Sequence, residues 1–502
     1  MYRFRQRLVD AVKNARDRTD LYHAPRNAFL NLNSTSSDSN VGNDNLKIIV
    51  VAAPCHGLGD VIFALKCARY LRYGFGGDGD NNKPYSRDVT IVTPSPELFR
   101  KVGLALNGRA PIKLVRLGQK NSTRASCRRL QKYERPRALP RTVDLIFVAP
   151  HQIDFDVDYA DVRALFHESN PFNTVFVSEY NDSLTKGHDL ATGLGGGRLG
   201  LLFDDARPAP VSQTPLPRAM LGAGKRYALA YASQDVGYKG CARAFAELVM
   251  KRYSGTTGSG TNATGSGTNG SGSGTNGSGM QLVVPRWIAE KLSRSRAFLQ
   301  SARTYGYTDV YTVFNDDANA EPTHHVTDDD DGRRHQVFVI RSDILPVTRP
   351  QMLTLMRHSV SDILVTGDQS LTDVVDCCAA DKRIWYQTAP WKSGFAKALA
   401  TILKRPALAN ATTSCGSVKL RSIDTNRHSA QKLKRDCDFR VLAKPVIDAI
   451  VASVCAYTFY SGDDSDDDTI NSIVRQYIDT LLDAGAHVPF AALRQRALRD
   501  LN

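Results

Sequence analysis

The chain has 502 residues, of which 42% are hydrophobic, and it carries a formal net charge of +14. This length exceeds what one hydrophobic core usually holds, so we expect two domains plus appendages, and the hydrophobic share is enough for packed cores. The positive charge favours phosphate-bearing molecules or anionic surfaces in general, without selecting one of them.

The nine cysteines are odd in number and scattered, with neither a C-x-x-C pair nor a Cys/His cluster at zinc spacing. This usage argues against a disulfide framework and a structural zinc site, and it is typical of a reducing compartment. The N-terminus lacks the apolar stretch of a secretory signal, and no run of about 18 apolar residues occurs. We therefore expect a cytoplasmic protein without a membrane span.

Residues 1–45 are expected to form an N-terminal helix followed by a linker. Phe4, Leu8, Val12 and Ala15 are spaced for one helix face. The stretch 31–45 is rich in Asn, Ser and Asp, which is typical of a flexible connection. The first domain is predicted to begin at residue 46.

Residues 46–215 alternate between strand and helix patterns, which indicates a parallel sheet covered on both faces. A helix is predicted over Pro96–Leu106. The predicted strands of this first lobe are Ile48–Val51, Asp88–Thr93, Ile112–Arg116, Val143–Ala149 and Thr174–Ser178.

The first predicted strand ends in a glycine-containing turn, His56–Asp60, which we call the Gly57 corner. Gly57 and Gly59 would let a substrate approach the backbone, and Asp60 or His56 could take a proton from an attacking hydroxyl. In the simpler interpretation His56 is an ordinary loop histidine and Asp60 only caps the following helix.

Residues 225–405 form a second alternating series after a proline-rich hinge, and residues 430–502 are predicted to close the chain as a helical segment. The stretch 254–279 is almost wholly Gly, Ser, Thr and Asn, so we expect a disordered loop. The predicted strands of this lobe are Tyr227–Tyr231, Gln281–Val284, Val310–Val313, Val337–Ile340, Ile363–Val365 and Ile384–Gln387. The predicted helices are Cys241–Tyr253, Arg286–Ala302, Arg349–His358 and Trp391–Leu403.

The most informative stretch is Thr366–Ser370, which we call the Gly367 corner. An apolar strand stops there, Gly367 permits a turn, and Asp368 or Ser370 can cap the helix that follows. The polar side chains of Thr366, Asp368, Gln369 and Ser370 crowd the carboxyl end of a parallel strand, where open α/β sheets bind ligands. The exposed start of a helix also favours anions.

Two cations could serve a phosphate near this corner. Lys392 ends the aromatic segment Trp385–Lys392, which could border a ligand held at Thr366–Ser370, and Arg341 stands directly after another strand. Packing in a core or an interface would explain the aromatic residues equally well.

Other motifs carry less information. The pattern G-x-G-x-x-G occurs at Gly195–Gly200, but no strand pattern precedes it and no helix pattern follows, so we interpret it as a flexible loop and not as a dinucleotide fingerprint. The acidic residues 463–468 are expected to cap a helix and contact solvent. No metal site is predicted.

The two corners, each at the start of a helix in its own α/β lobe, resemble those of GT-B glycosyltransferases, the superfamily that includes the heptosyltransferases. The likeness spans roughly residues 46–405. It implies two Rossmann-like lobes, with the acceptor in the first, beside Gly57 and Gly59, and the nucleotide sugar in the second, at Thr366–Ser370. Such enzymes often need no metal, and the nucleotide sugar is a co-substrate, so no cofactor is expected.

The predicted function is transfer of a sugar from a nucleotide diphospho-sugar to a glycan or another hydroxyl acceptor in a cleft between the lobes. One alternative is a nucleotide-sugar epimerase of the same architecture, which needs no acceptor. Another is a non-catalytic binding or structural protein that uses its basic surface, although nucleic acid is not the partner we expect.

Overall fold

The computed structural model describes residues from Leu46 to Ile450, with interruptions. The predicted N-terminal helix, the Gly/Ser/Thr/Asn-rich loop and most of the predicted C-terminal helical segment lie outside the described residues. The longer interruptions are residues 53–57, 74–86, 103–111, 120–129, 152–156, 182–189, 204–225, 233–239, 255–278, 315–322, 327–335, 404–408 and 413–418.

The chain divides into two compact units, and each is built on a sheet of mainly parallel strands with helices, which confirms the predicted α/β class. Unit 1 contains residues up to Arg207 together with those from Lys432 onward, and unit 2 contains Pro208–Gln431. The return of residues after Lys432 to unit 1 was not predicted from the sequence.

Unit 1 is built on a five-stranded sheet in which every pairing is parallel, in the order β3-β2-β1-β6-β7. Its strands are β1 Leu46–Val51, β2 Arg87–Thr93, β3 Lys113–Arg116, β6 Leu145–His151 and β7 Thr174–Ser178, and a small ribbon joins β4 Gly118–Gln119 to β5 Tyr133–Glu134. Its helices are α1 Leu58–Tyr73, α2 Pro96–Lys101 and α3 Tyr159–Leu165.

Strands β1, β6 and β7 have near-continuous apolar sequences because helices cover both faces of a parallel sheet. Val50, Val51 and Phe147 are completely buried. The predicted strands of this unit are all present, with ends that differ by up to two residues. Helix α2 ends at Lys101, and residues 103–106 of the predicted helix lie outside the described part of the chain.

Unit 2 contains a nine-stranded sheet in the order β11-β10-β12-β9-β8-β13-β14-β16-β15. Its inner six strands are parallel: β8 Arg226–Tyr231, β9 Met280–Val283, β10 Asp309–Val313, β12 Val337–Arg341, β13 Asp362–Thr366 and β14 Arg383–Gln387. The outer strands are antiparallel: β11 Thr323–Val326, β15 Ala409–Thr412 and β16 Lys419–Thr425. The helices are α4 Cys241–Tyr253, α5 Arg286–Ser293, α6 Arg296–Thr304, α7 Arg349–His358, α8 Asp368–Cys378 and α9 Ser393–Ile402, with α10 Arg427–Asp436 crossing the boundary between the units.

The prediction of one helix over Arg286–Ala302 is wrong, because the chain forms two helices there. Ser295 has an extended backbone, and its hydroxyl accepts a hydrogen bond from the Phe298 amide at 3.3 Å. A serine in this role caps a new helix and cannot continue the previous one. Apolar periodicity alone does not reveal such a break.

Gly193 and Gly200 pair with each other through the backbone, whereas the sequence predicted a flexible loop here; residues 196 and 197 lie outside the described part of the chain. The amides of Gly193 and Gly200 each donate to the other's carbonyl oxygen, at 2.8 and 3.0 Å. Next to this bridge, Leu201 pairs with the backbone at Cys437 and Phe439. Gly200 has φ +94, and an added Cβ would come within 2.3 Å of the Cys437 carbonyl oxygen. This glycine therefore permits the close approach of the returning C-terminal segment.

Candidate functional site

The Gly367 corner lies at the point where the strand order of unit 2 reverses. Strand β8 has β9 on one side and β13 on the other, and β13 follows only after the chain has built β9, β10 and β12. Loops at the carboxyl ends of two such neighbouring strands leave in different directions, which opens a crevice where α/β proteins bind ligands. The register pairs Val365 of β13 with Tyr231 of β8, so both strands end at this place.

The turn itself requires a glycine. Strand β13 ends at Thr366, Gly367 has φ +77, and α8 begins at Asp368. A positive φ strains any residue with a Cβ. A Cβ built at Gly367 would meet no heavy atom of the described neighbourhood within 4 Å. The space beside this backbone is thus open, and the first amides of α8 have no partners within the helix.

Asp368 is held by two side chains, one from strand β14 and one from the segment that follows it. The Tyr386 hydroxyl donates a hydrogen bond to Asp368 Oδ1 at 2.9 Å. The Nζ of Lys392 lies 2.7 Å from Asp368 Oδ2, and both members of this ion pair are nearly buried. This ion pair compensates the charge of the Asp368 carboxylate. The structure therefore brings together two predicted site residues, Asp368 and Lys392.

Two further buried oxygens lie at the same edge of the sheet. Gln369 is 6% exposed and Thr388 is 5% exposed. Neither Gln369 Oε1 nor Thr388 Oγ1 has a hydrogen-bond partner among the residues described. Because Thr366 pairs with Gln387 across β13 and β14, Thr388 follows at the level of Gly367. Leaving such groups unsatisfied costs about 1–3 kcal/mol each.

The remaining predicted residues of the corner are arranged as the strand-to-helix pattern predicts. Thr366 ends the strand and Ser370 lies in the first turn of α8, and both are half-buried. The Thr372 hydroxyl donates back to the carbonyl oxygens of Gln369 and Asp368, at 2.8 and 3.2 Å. Thr372 therefore stabilises the first turn of the helix.

Arg341 lies apart from this corner. It ends β12, which is separated from β13 by β9 and β8, about 14 Å at the usual strand spacing. Its guanidinium forms a two-bond ion pair with Asp343, with distances of 2.8 and 2.5 Å, and also donates to Gln281 at 3.3 Å. Most of its charge is already compensated by Asp343.

The corner of unit 1 has the same topology, and part of it is described. Strand β1 lies between β2 and β6, where the strand order also reverses, and α1 begins at Leu58. Asp60 is half-buried in the first turn of this helix, and Gly59 is exposed. His56 and Gly57 lie outside the described residues. The roles assigned to these four residues stay predictions.

Tyr386 and Thr388 lie in the aromatic segment that was expected to border the ligand, but neither was named as a site residue. Both come from the strand beside the corner, at or just past its carboxyl end. The rule that pointed to Thr366–Ser370, namely polar groups where a parallel strand ends, also applies to Thr388. The hydrogen bond from Tyr386 has no comparable signal, because an aromatic residue within a strand usually indicates packing alone.

The described residues contain no group of three or more His, Cys, Asp or Glu side chains that could hold a metal ion. None of the helices in this part of the chain is long and apolar enough to cross a membrane. Burial raises the pKa of the Tyr231 phenol at the end of β8, so this hydroxyl stays protonated at neutral pH.

No family model matches the chain. No curated protein matches it. Solved structures match it at low similarity. The Arabidopsis thaliana protein UGT89C1 is 12% identical, with a TM-score of 0.33, over 86% of this chain and 100% of its own. Trehalose-6-phosphate synthase OtsA is 11% identical, with a TM-score of 0.23, over 83% of this chain and 71% of its own.

An alpha,alpha-trehalose-phosphate synthase (UDP-forming) from Burkholderia vietnamiensis is 11% identical, with a TM-score of 0.19, over 83% of this chain and 74% of its own. These three neighbours are GT-B glycosyltransferases, and the finer likeness to the heptosyltransferases is not confirmed. Identities and TM-scores this low carry no argument about the activity of this chain, which has to be argued from its own residues.

Proposed function

We propose that this protein transfers a sugar from a nucleotide diphospho-sugar to a hydroxyl acceptor. The observation that carries the proposal is the Gly367 corner: an open glycine turn at a strand-order reversal, followed by a helix start and flanked by a buried Lys392–Asp368 pair. A helix start with unpaired amides attracts phosphate oxygens. Asp368, Gln369 and Thr388 add side-chain oxygens at the same place.

In the proposed reaction the donor binds to unit 2 and the acceptor to unit 1. The acceptor oxygen attacks the anomeric carbon of the sugar and forms the new bond. The bond from that carbon to the diphosphate breaks, and the nucleoside diphosphate leaves with the electron pair. Asp60 or His56 takes the acceptor's proton. The amides at the start of α8 stabilise the charge of the departing diphosphate. Lys392 is paired with Asp368 and serves to hold the first turn of α8 in place.

Arg341 is a weaker candidate for the donor site, because its guanidinium is paired with Asp343. We expect that Arg341→Met lowers donor affinity less than Gly367→Ala. The reaction needs no metal in this proposal, so an excess of EDTA should leave the rate unchanged.

The test combines a nucleotide-sugar panel with hydroxyl acceptors and measures release of nucleoside diphosphate. We expect release that depends on both the donor and the acceptor. Of the variants Asp60→Asn and His56→Gln, the one that removes the base should lower the rate by at least tenfold with unchanged donor affinity. Asp88→Asn is the matched control, since Asp88 is a carboxylate of unit 1 in a surface pair with Lys113. Absence of acceptor-dependent release across the panel would contradict the proposal. Conversion of the sugar without an acceptor would favour an epimerase.

A further inference from the structure

Three arginines surround one buried carboxylate at the amino ends of the strands of unit 2. Arg226 begins β8, Arg383 begins β14, and Asp362 begins β13 between them. Arg252 reaches the same carboxylate from the end of α4. Because these strands are parallel, this edge of the sheet lies opposite the Gly367 corner. We call Arg226, Arg252 and Arg383 the arginine cluster.

Two members of the arginine cluster are held by Asp362. Arg383 donates to this carboxylate through two nitrogens, at 3.2 and 2.9 Å, and Arg252 donates through one, in a short contact. Asp362 is completely buried, whereas the side chains of Arg252 and Arg383 are 36% and 40% exposed. A guanidinium has five N–H groups, so each arginine keeps donors that solvent or a ligand can reach.

Arg226 has no carboxylate partner among the residues that the structure describes, and it is exposed. Its guanidinium carbon lies 5.2 Å from the centre of the Tyr253 ring, and the Tyr253 hydroxyl donates to Asp362 at 2.8 Å. The ring therefore places the third guanidinium beside the same carboxylate. Burial and the charge of Asp362 raise the pKa of the Tyr253 phenol, so this side chain adds no negative charge at neutral pH.

The arginine cluster holds more positive charge than its carboxylate compensates. Arginine stays protonated in proteins, so three guanidiniums beside Asp362 leave an excess of two positive charges. One cation is enough to compensate one carboxylate, and like charges held close together repel one another. Residues 254–279, which follow α4 in the chain, contain no charged side chain and so add no carboxylate. Such an excess, held in place by a buried group, is suited to an anion.

The charge and the donor type indicate which anion fits. Guanidinium N–H groups match the oxygens of a phosphate in pairs. A phosphate monoester carries a charge of about −1.5 to −2 at pH 7, which balances the excess, whereas each phosphodiester of a nucleic acid carries only one charge. A lipid headgroup needs apolar contacts beside it, and no large hydrophobic side chain is exposed among the described residues of unit 2.

We propose that the arginine cluster binds the phosphate group of a small, soluble phosphate monoester. Asp362 positions Arg252 and Arg383, and the Tyr253 ring positions Arg226, so that the three guanidiniums contact one phosphate. The site lies at the other end of β13 from the Gly367 corner, roughly 13 Å along the strand. It does not depend on the proposed function.

Calorimetry with glycerol 3-phosphate at constant ionic strength tests this site. We expect saturable binding to the wild-type protein. Arg226→Gln removes a charged donor without removing a contact to Asp362, and it should weaken the affinity about tenfold. Dimethyl phosphate, a singly charged diester, should bind the wild-type protein about tenfold more weakly than glycerol 3-phosphate, because half of the charge attraction is lost.

Arg286→Gln is the matched control. Arg286 also has a carboxylate partner, Glu290 at 2.8 Å, and an aromatic neighbour, Phe314, whose ring centre lies 6.0 Å from the guanidinium carbon. It begins α5, shortly after the carboxyl end of β9, so it lies at the opposite edge of the sheet. This variant loses the same charge as Arg226→Gln and should keep the wild-type affinity for glycerol 3-phosphate.

Thermal melting separates ligand binding from a structural role of Arg226. If Arg226 serves the ligand, Arg226→Gln relieves repulsion between like charges and keeps or raises the Tm of the free protein. The same variant should lose most of the rise in Tm that glycerol 3-phosphate causes in the wild type. A lower Tm of the free protein, with an unchanged rise on adding the ligand, would overturn the inference.

The other outcomes are equally distinct. Absence of saturable binding to the wild-type protein, or equal affinities of the wild type and Arg226→Gln, would overturn the inference. So would binding only to phosphatidylcholine vesicles that contain phosphatidic acid, or only to single-stranded RNA. Nucleotide-sugar binding and turnover should be the same in Arg226→Gln and the wild type, so the failure of this site leaves the proposed function intact.

Discussion

The two ends of strand β13 each hold a buried carboxylate, and they differ in how completely it is satisfied. Asp362, at the amino end, is completely buried and has four partners. Trp385 and Tyr253 donate to it at 3.0 and 2.8 Å, Arg383 donates at 3.2 and 2.9 Å, and Arg252 makes a further short contact. At the carboxyl end, Asp368 has one hydrogen bond and one ion pair, and it neighbours two oxygens without partners.

This difference separates a structural carboxylate from a candidate binding site. Desolvation raises the pKa of Asp362, but the hydrogen bonds from Trp385, Arg252 and Tyr253 lower it by more, so the net pKa lies below its ordinary value. The Asp362 carboxylate is thus complete without a ligand. At the carboxyl end, Gln369 Oε1 and Thr388 Oγ1 have no hydrogen-bond partner among the described residues, and for this reason we propose that end as the binding site for the nucleotide sugar.

The largest expected effect is on stability, from Asp362→Ala. Removing the central carboxylate leaves the buried Trp385 N–H without its acceptor and removes the hydrogen bonds from Tyr253 and Arg383. Each hydrogen bond to a charged group contributes about 1.5–3 kcal/mol. Solvent compensates the two partly exposed arginines, so we expect a total loss of about 3–5 kcal/mol. Urea unfolding measures the free-energy difference. Donor affinity, measured where the variant is folded, should not change. A loss below about 1 kcal/mol would contradict the structural role of Asp362.

The same carboxylate predicts a dependence of stability on pH. The pKa of Asp362 is lower in the folded than in the unfolded state. Its contribution to the free energy of unfolding is therefore complete above its pKa in the unfolded chain, about 3.9, and is lost as the pH falls through its pKa in the folded protein. The stability difference between wild type and Asp362→Asn should be constant above about pH 5 and shrink below pH 4. A difference that stays constant down to pH 2 would show that the ionised form is not favoured by folding.

The next largest effect on stability is expected at the carboxyl end of strand β13, from Lys392→Met. This change leaves the Asp368 carboxylate buried with only the Tyr386 hydroxyl, and we expect a loss of about 3 kcal/mol in unfolding free energy. The double variant Asp368→Asn, Lys392→Met should recover most of the loss, because both charges are then absent. Additive losses in the double variant would mean that the two side chains are not coupled.

A smaller effect is expected from Gly367→Ala. The methyl group has room, so the cost is the backbone strain of a positive φ, about 1–2 kcal/mol. Gly200→Ala serves as the comparison, since its Cβ would also meet the Cys437 carbonyl oxygen and should destabilise the protein more. If Gly367→Ala has no effect on Tm or on donor affinity, the turn tolerates other backbone conformations.

Much of the fold could be predicted because its inner strands are buried on both faces and read as short apolar runs. Cys241–Tyr253 and Arg349–His358 were predicted with the bounds that the structure shows. The antiparallel edge strands were missed, since strands such as Thr323–Val326 lack an apolar run. The Ser295 cap was missed because it interrupts a helix without interrupting the apolar pattern.

The candidate site could be predicted only where its residues are neighbours in the sequence. Strand, glycine and helix start follow one another from Asp362 to Ser370, so the sequence indicates the turn directly. The ion pair between Asp368 and Lys392 joins residues that are far apart in the chain, and it depends on how β14 packs against β13. No spacing rule predicts that Asp368 has a hydrogen-bond and an ion-pair partner, whereas Gln369 Oε1 and Thr388 Oγ1 have no partner among the described residues.

Hydrogen exchange with and without a saturating nucleotide sugar tests most directly whether the carboxyl end of β13 binds the ligand. We expect slower exchange of the backbone amides of residues 367–371 and no change at residues 359–363, at the amino end of the strand. A ligand that raises the Tm yet leaves residues 367–371 unprotected would contradict the account.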